Sequence, residues 1–274
     1  MNASSPPVLS LRGISKRFGA VQALTEVDLD VRAGEVVALV GDNGACKSTL
    51  IKVISGVGPA DSGLISSAGH EVTVARPQDA QALGIATVYQ DLALCDNLDV
   101  VANLFLGTEL TSGGLLDEIE MERRARELLA TLSVKIPSVR IPVASLSGGQ
   151  RQTIAIARSL LGEPKLVLLD EPTAALGVEQ TAQVLDLIER LSDRGLGVIL
   201  ISHNLADVKA VADRVAVLRL GRNAGFFDVE STSQEEIVAA ITGAADNVVS
   251  RRRARLDQSD ESAETDTVHT GGTP

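Results

Sequence analysis

The sequence is poor in cysteine and in aromatic residues, and it lacks an excess of basic residues. Only two cysteines, Cys46 and Cys95, occur in 274 residues, which excludes a disulfide-stabilised fold and favours a reducing cytoplasm. Aromatic residues make up 2% of the chain and the formal net charge is −11. Base-stacking platforms and the basic surface that nucleic acids require are therefore not expected, and no nucleic-acid partner is predicted.

The apolar residues are never continuous over a long stretch. No run reaches the roughly 18 residues that a membrane-spanning helix needs, and the first residues, MNASSPPV, lack the charged-then-apolar pattern of a secretion signal. Attachment to a membrane would then have to come through a partner. With 45% hydrophobic residues, the chain is able to bury one substantial α/β core and a small helical insert.

The most informative segment of the sequence is a glycine-rich stretch that lies between an apolar run and a helical pattern. Residues 36–40 (VVALV) predict a buried parallel strand, residues 41–49 read GDNGACKST, and the helical spacing that follows ends at Gly56. This context predicts a loop whose main-chain N–H groups bind a nucleoside triphosphate with Mg²⁺. Lys47 should reach the β- and γ-phosphates, and Ser48 should hold Mg²⁺. The predicted contacts of this phosphate loop are Gly41, Asp42, Asn43, Gly44, Ala45, Cys46, Lys47, Ser48 and Thr49.

Cys46 departs from the motif, which has glycine directly before the lysine. A Cβ at this position would cost roughly 1–2 kcal/mol if the backbone is left-handed, and it could crowd a phosphate. Three interpretations follow: a working site, a nucleotide-binding subunit with little hydrolysis, and a site controlled by its thiol. The third arises because Lys47 and a helix N-terminus both favour a thiolate.

Two later segments place polar residues at the ends of predicted elements. In residues 165–172 (KLVLLDEP) an apolar strand ends in Asp170, suited to contact Mg²⁺, and Glu171, suited to polarise a water for attack on the γ-phosphate. In residues 146–152 (LSGGQRQ), Ser147 is a good N-cap and the glycines allow N–H groups to approach an anion. Alone, these segments are equally compatible with solvated acids and with an ordinary capped helix.

The order of these segments resembles the ATPase subunit of ATP-binding cassette (ABC) transporters. GDNGACKST is followed by Gln90 after IATVYQ, by LSGGQ, by LVLLDEP and by His203 after VILIS, within about residues 8–243. The resemblance implies an α/β fold: a P-loop NTPase core with a mostly parallel sheet, an antiparallel β-subdomain and a helical insert subdomain. It also implies ATP and Mg²⁺ as cofactors.

The resemblance further implies a role for each motif residue. Phe18 would stack on adenine, Gln90 would sense Mg²⁺ and the γ-phosphate, and His203 would hydrogen-bond the γ-phosphate. The alternatives are a core aromatic residue, a polar strand cap and a structural histidine, respectively. The implied catalytic residues are Lys47, Gln90, Glu171 and His203, and the implied metal ligands are Ser48, Gln90 and Asp170.

In the family, the LSGGQ segment of one subunit closes on the nucleotide of another. The corresponding residues are Ser147, Gly148, Gly149 and Gln150. The active unit would then be a head-to-tail dimer, most simply of two copies of this chain. Gly177 stands where many cassettes carry an aspartate, a departure that should alter communication across the dimer.

Three stretches, 88–107, 170–180 and 201–222, resemble the simple-sugar importer branch of the family. That branch works with a membrane permease and, indirectly through it, with an extracytoplasmic sugar-binding protein, and imports monosaccharides. The resemblance therefore implies a peripheral location at the cytoplasmic face of the cell membrane.

The pattern along the chain predicts a single domain. Residues 1–7 are expected to be a flexible N-terminus, residues 8–243 one ABC ATPase domain with a helical subdomain at about 98–162, and the polar residues 244–274 a disordered tail. The resemblance implies that residues 90–110 dock the permease. The apolar candidates for that contact, which could equally pack the insert, are Leu92, Leu94, Leu104 and Phe105.

Apolar periodicity also predicts the strands. Residues 8–35 and 63–75 alternate as antiparallel strands do. Short apolar runs that alternate with helical segments predict a parallel core. Those runs are residues 36–40, 85–89, 165–169, 197–201 and 214–218.

Overall fold

The computed structural model describes residues 6–244. The predicted disordered tail, apart from residue 244, and most of the predicted flexible N-terminus lie outside these residues. The strands are β1 (Leu9–Phe18), β2 (Val21–Val31), β3 (Val36–Val40), β4 (Ser62–Ser67), β5 (His70–Val72), β6 (Ile85–Val88), β7 (Thr111–Ser112), β8 (Leu115–Leu116), β9 (Leu166–Asp170), β10 (Gly197–Ile201), β11 (Arg214–Arg219) and β12 (Arg222–Asp228). The helices are α1 (Lys47–Ile54), α2 (Pro77–Ala82), α3 (Val100–Phe105), α4 (Glu118–Thr131), α5 (Gly148–Leu160), α6 (Val178–Asp193), α7 (Leu205–Val211) and α8 (Gln234–Thr242).

The central sheet has the strand order β12-β11-β3-β10-β9-β6. Its strands pair in parallel from β11 to β6, and β12 adds an antiparallel edge. Every residue of β3 and β10 is buried, which explains why these strands are continuous apolar runs rather than alternating ones. The predicted mostly parallel core is confirmed.

The two faces of this sheet carry two separate cores. Along β3, Val36, Ala38 and Val40 pack with the helices α3 to α6, whereas Val37 and Leu39 pack with α1 and the antiparallel strands. Period-two alternation assigns each residue of a buried strand to one face or the other. The antiparallel sheet, in the order β2-β1-β4-β5, thus covers one face, as the resemblance implied.

Strand register brings several chain segments to one edge of the central sheet. Ile201 of β10 pairs with Leu39 of β3 on one side and with Asp170 of β9 on the other. Val88, the last residue of β6, pairs with Leu169. The loops that follow these four strands therefore emerge together, as ligand-binding loops do in open α/β sheets.

The region from α3 to α5 differs from its prediction in two respects. A two-stranded hairpin of β7 and β8, turned by Gly113 and Gly114 at positive φ, interrupts a segment predicted as mostly helical. Leu104 and Phe105, predicted as candidates for exposed docking contacts, are instead buried in the core, so that prediction was wrong for both. They lie on α3, whose short apolar face packs against α4 and α5, and burial of large apolar side chains is the dominant gain there. The boundaries of the helical subdomain stay a prediction.

Candidate functional site

The phosphate loop leaves β3 and turns sharply into α1. A Cβ at Gly41 would clash with the carbonyl oxygen of Leu218, so only glycine fits at the start of the loop. The Lys47 ammonium donates to the carbonyl oxygens of Gly41, at 2.7 Å, and Asp42, at 3.2 Å. These bonds hold the positive charge against the loop, where it is placed to meet an anion bound by the loop amides.

Cys46 occupies the position at which the motif has glycine, and its backbone is left-handed, with φ 68° and ψ 26°. Its Sγ lies 3.4 Å from the carbonyl oxygen of Gly44 and makes no side-chain hydrogen bond that caps α1. A non-glycine residue in this conformation costs roughly 1–2 kcal/mol. The loop therefore forms with cysteine but stores strain at this residue.

Asp170 lies at the end of β9, on the sheet edge from which the phosphate loop emerges. Burial raises the pKa of Asp170 above its ordinary value, the neighbouring charge of Glu171 raises it further, and Lys47 and Lys52 act in the opposite direction. Strand pairing gives the same picture, because β9 and β3 flank β10 and end at one edge of the sheet. A divalent cation beside Asp170 would favour its ionised form.

Glu171 and His203, which the motifs treat separately, are in direct contact. His203 Nδ1 lies 2.7 Å from Glu171 Oε2. The Glu171 side chain is 16% exposed and that of His203 71%, so the carboxylate is enclosed while the imidazole extends towards solvent. The Glu171 backbone is left-handed, with φ 50°, and its N–H donates to the carbonyl oxygen of Ile201 at 3.0 Å. Sequence reasoning missed this contact because 32 residues separate the pair.

Phe18 and Gln90 are both accessible. Phe18 ends β1 and is 53% exposed, so the alternative that it is a core residue is wrong. The Lys16 ammonium lies 5.7 Å from the centre of its ring. Gln90 is exposed two residues after β6, at the sheet edge where Asp170 and Glu171 emerge.

The segment of residues 146–150, here called the signature loop, begins α5 with a complete capping box. Ser147 Oγ accepts from the Gln150 N–H at 3.3 Å, and Gln150 Oε1 accepts from the Ser147 N–H at 3.0 Å. A Cβ at Gly149 would lie 2.9 Å from the Cβ of Gln180 on α6, so this glycine is also required by packing. Among the hydrogen bonds of residues 6–244, none joins the signature loop to the phosphate loop.

The oxygen donors around the phosphate loop fit Mg²⁺ in their chemistry. The hydroxyl of Ser48, the amide oxygen of Gln90 and the carboxylate of Asp170 are the hard ligands that Mg²⁺ prefers. Within residues 6–244 there is no group of three or more His, Cys, Asp or Glu side chains arranged as a metal cage.

A groove runs between the edge strand β6 and the helices α3 and α5, next to Gln90. Its volume is about 680 Å³. Its lining includes Tyr89, Leu92, Leu106, Ala155 and Arg158. Tyr89 and Leu106 are exposed, so the groove offers apolar contacts beside Gln90. In the part of the chain that the structure describes, no helix has the length and apolarity needed to span a membrane.

Comparisons with known protein families and with individual proteins agree with the nucleotide site described above. A family model described as "ABC transporter" matches residues 24–174. The xylose/arabinose import ATP-binding protein XylG of Sulfolobus acidocaldarius is 44% identical over 238 residues, which are 87% of this chain and 95% of that protein. The fructose import ATP-binding protein FrcA of Rhizobium meliloti is 43% identical over 246 residues, again 87% of this chain and 95% of that protein. The xylose import ATP-binding protein XylG of Escherichia coli O157:H7 is 41% identical, but the match covers only 47% of it.

Solved structures show the same fold. The ADP conformation of MJ1267, an ATP-binding cassette of an ABC transporter, superposes with a TM-score of 0.73 at 26% identity, over 86% of this chain and 95% of that one. A dimeric post-hydrolysis state of the ATP-binding cassette MJ0796, bound to ADP and Pi, gives a TM-score of 0.68 at 24% identity, over 82% of this chain and all of that one. The predicted fold class is confirmed.

Proposed function

This chain belongs to the ABC transporter family, and from that premise we propose that it binds and hydrolyses ATP to energise a membrane importer of a monosaccharide. The observation that carries the proposal is the meeting of Glu171 and His203, at 2.7 Å, on the sheet edge from which the phosphate loop also emerges. The sugar class is supported by relatives named as xylose, arabinose and fructose import ATP-binding proteins. Nothing in these relatives favours the alternative of a hydrolysis-impaired regulatory subunit.

In this proposal some site residues bind the nucleotide and others take part in its hydrolysis. The amides of residues 41–49 and the Lys47 ammonium bind the triphosphate, and Phe18 stacks on adenine. Ser48, Gln90 and Asp170 would hold Mg²⁺, which neutralises charge that develops on the phosphate oxygens. Glu171 accepts a proton from water as the water oxygen bonds to the γ-phosphorus and the bond from that phosphorus to the β–γ bridging oxygen breaks.

His203 has two tasks in this scheme. Its Nδ1–H donates to the Glu171 carboxylate and orients it, and in the imidazolium form, in which both ring nitrogens carry hydrogen, the exposed ring also donates to the γ-phosphate from Nε2. An oriented general base is more effective because the reacting atoms are already aligned. The pair therefore couples recognition of the γ-phosphate to activation of water.

The signature loop acts on the nucleotide of a second cassette in this proposal. Ser147, Gly148, Gly149 and Gln150 have no hydrogen bond to the phosphate loop of their own chain among residues 6–244. The N-terminus of α5 is nevertheless suited to an anion. A head-to-tail dimer of two copies would bring it to the partner's γ-phosphate.

The permease is proposed to dock in the groove beside Gln90. The groove is lined by exposed Tyr89 and Leu106 and by half-buried Leu92, which offer apolar contact. A helix seated there would lie next to the residue that senses Mg²⁺ and γ-phosphate. The chain would then be peripheral at the cytoplasmic face of the membrane, linked through the permease to an extracytoplasmic sugar-binding protein.

Steady-state ATP turnover by the full chain with its permease tests the proposal. We expect Glu171→Gln to reduce turnover by at least about 100-fold, because it removes the general base, while calorimetry shows unchanged binding of Mg-ATP. Glu179→Gln, on the first turn of α6, is the matched control and should keep parental turnover. Binding without turnover above the Glu171→Gln level in the parent would support the regulatory alternative instead.

A further inference from the structure

A buried carboxylate outside the motifs joins the two loops that carry Glu171 and His203. Asp207 lies in the first turn of α7 and is only 7% exposed. Its Oδ2 accepts from Thr173 Oγ1 at 2.7 Å, and its Oδ1 accepts from Asn204 Nδ2 at 2.8 Å. Buried charges are costly unless their oxygens are hydrogen-bonded, and here each oxygen has its own donor.

The two donors sit beside the catalytic pair. Thr173 follows Glu171 by two residues, and Asn204 directly follows His203. The chain segments 171–173 and 203–204, the two bonds to Asp207 and the His203–Glu171 contact together close a ring. Asn204 is itself fixed, because its Oδ1 accepts from the Ala206 N–H at 3.0 Å and caps α7.

Such a ring is needed because neither member of the pair is held by its own conformation. Glu171 has a left-handed backbone, with φ 50°, which persists only where the surrounding structure enforces it. The His203 side chain is 71% exposed, so solvent competes for its contact. We propose that Asp207 is a positioning residue that holds the His203 loop against the Glu171 loop, so that imidazole and carboxylate meet in the geometry required for water activation.

This inference rests on the proposed function, but its contacts lie outside the nucleotide site. Asp207, Thr173 and the Asn204 side chain touch each other rather than the phosphate loop. Weakening the ring should therefore lower kcat and leave the KM for Mg-ATP unchanged. A misplacement of about 1 Å in a catalytic group lowers turnover by up to about 100-fold.

The sharpest test uses Thr173, because Thr173→Val replaces the hydroxyl by a methyl group of similar size while Thr173→Ser keeps the hydroxyl. In the full chain with its permease, we expect Thr173→Val to reduce kcat at least about tenfold, with KM within about twofold of the parent, and Thr173→Ser to keep kcat. Asp207→Ala, which removes both acceptor oxygens, should act like Thr173→Val. Glu236→Gln, in the capping box of α8, is the control and should have no effect on kcat.

A double-mutant cycle distinguishes positioning from general loosening of the fold. If Asp207 acts through His203, Thr173→Val should cost less than about twofold more in a His203→Ala background, because residues that act as one unit are non-additive. Additive losses, or equal losses in Thr173→Val and Thr173→Ser, would overturn the proposal. A parent chain that binds Mg-ATP without turnover would contradict the proposed function instead.

A second readout needs neither permease nor turnover. The chain has three histidines, His70, His203 and His269, so the imidazole ¹⁵N signals of His203 can be assigned with a His203→Gln variant. Glu171→Gln should shift its Nδ1 signal by removing the carboxylate partner. Thr173→Val should shift the signal in the same direction, and Thr173→Ser should leave it in place. A signal that moves with Glu171→Gln but not with Thr173→Val would refute the role of Asp207, even if Asp207→Ala does not fold.

Discussion

Two glycine-rich segments lead into helices in this protein, and the first turns of those helices are built in opposite ways. Ser147 and Gln150 form a reciprocal capping box at the start of α5, so two of its backbone donors are satisfied by the chain itself. Cys46 begins α1 in a left-handed conformation and without a capping side chain. The first turn of a helix leaves N–H groups that need acceptors. The signature loop thus completes itself, whereas the phosphate loop is suited to receive its acceptors from a triphosphate.

The two helix N-termini are therefore suited to two different roles in binding the nucleotide. At α1 the ligand supplies part of the local structure, so binding and loop order should depend on each other. At α5 the loop is already ordered by Ser147 and Gln150 and is held against Gln180 of α6. A rigid surface of that kind is suited to close on the nucleotide of a second subunit without paying an ordering cost.

Removing the cation of the phosphate loop should give the largest effect. We expect Lys47→Ala to weaken binding of Mg-ATP to the isolated chain by about 2–3 kcal/mol, roughly 30- to 150-fold, because charge-assisted hydrogen bonds to phosphate are lost. Isothermal titration calorimetry measures this change. Lys52→Ala, in the last turn of the same helix and exposed, is the control and should alter affinity little. Equal losses for both lysines would mean that general positive charge, not the loop, binds the triphosphate.

Much of this contrast could be predicted from the sequence because it is local. The apolar runs identified every parallel strand of the described core, and Ser147, a residue type favoured at helix N-caps, identified the cap. The Glu171–His203 contact and the bond from Thr173 to Asp207 could not be found in this way, because they join residues 32 and 34 positions apart. Such contacts depend on the register of β9 against β10, which no local pattern specifies.

Burial in the helical insert was missed for a similar reason. An apolar pair such as Leu104 and Phe105 reads the same whether it faces a partner or the core, and only the packing of α3 on α4 and α5 decides between them. The β7–β8 hairpin left a local signal in Gly113 and Gly114, because paired glycines favour the tight turns of hairpins. Its strands of two residues each are too short for periodicity to detect.

The second prediction concerns the self-sufficient cap of α5. Ser147→Ala should lower the free energy of unfolding by about 1 kcal/mol, measured by urea denaturation, and leave Mg-ATP affinity of the isolated chain unchanged. Ser233→Ala removes the equivalent cap of α8 and should cost a similar amount. Only the Ser147 variant should also lower turnover in the assembled transporter. If both serine variants keep parental turnover, the signature loop has no role in completing the site.

The smallest effect, and the one that most directly probes the contrast between the two loops, is expected from Cys46→Gly. Glycine removes roughly 1–2 kcal/mol of strain from the left-handed backbone of the folded state. It also stabilises the unfolded chain by about 0.4–1 kcal/mol, because glycine has more conformational freedom there. The net gain in the free energy of unfolding should therefore lie between about 0 and 1.6 kcal/mol. Ser133→Gly, at φ 54° after α4, is matched for backbone and should give a similar gain. Calorimetry then isolates the ligand: a rise in Mg-ATP affinity for Cys46→Gly alone would mean that the cysteine side chain opposes the triphosphate, and equal affinities would confine its cost to the backbone.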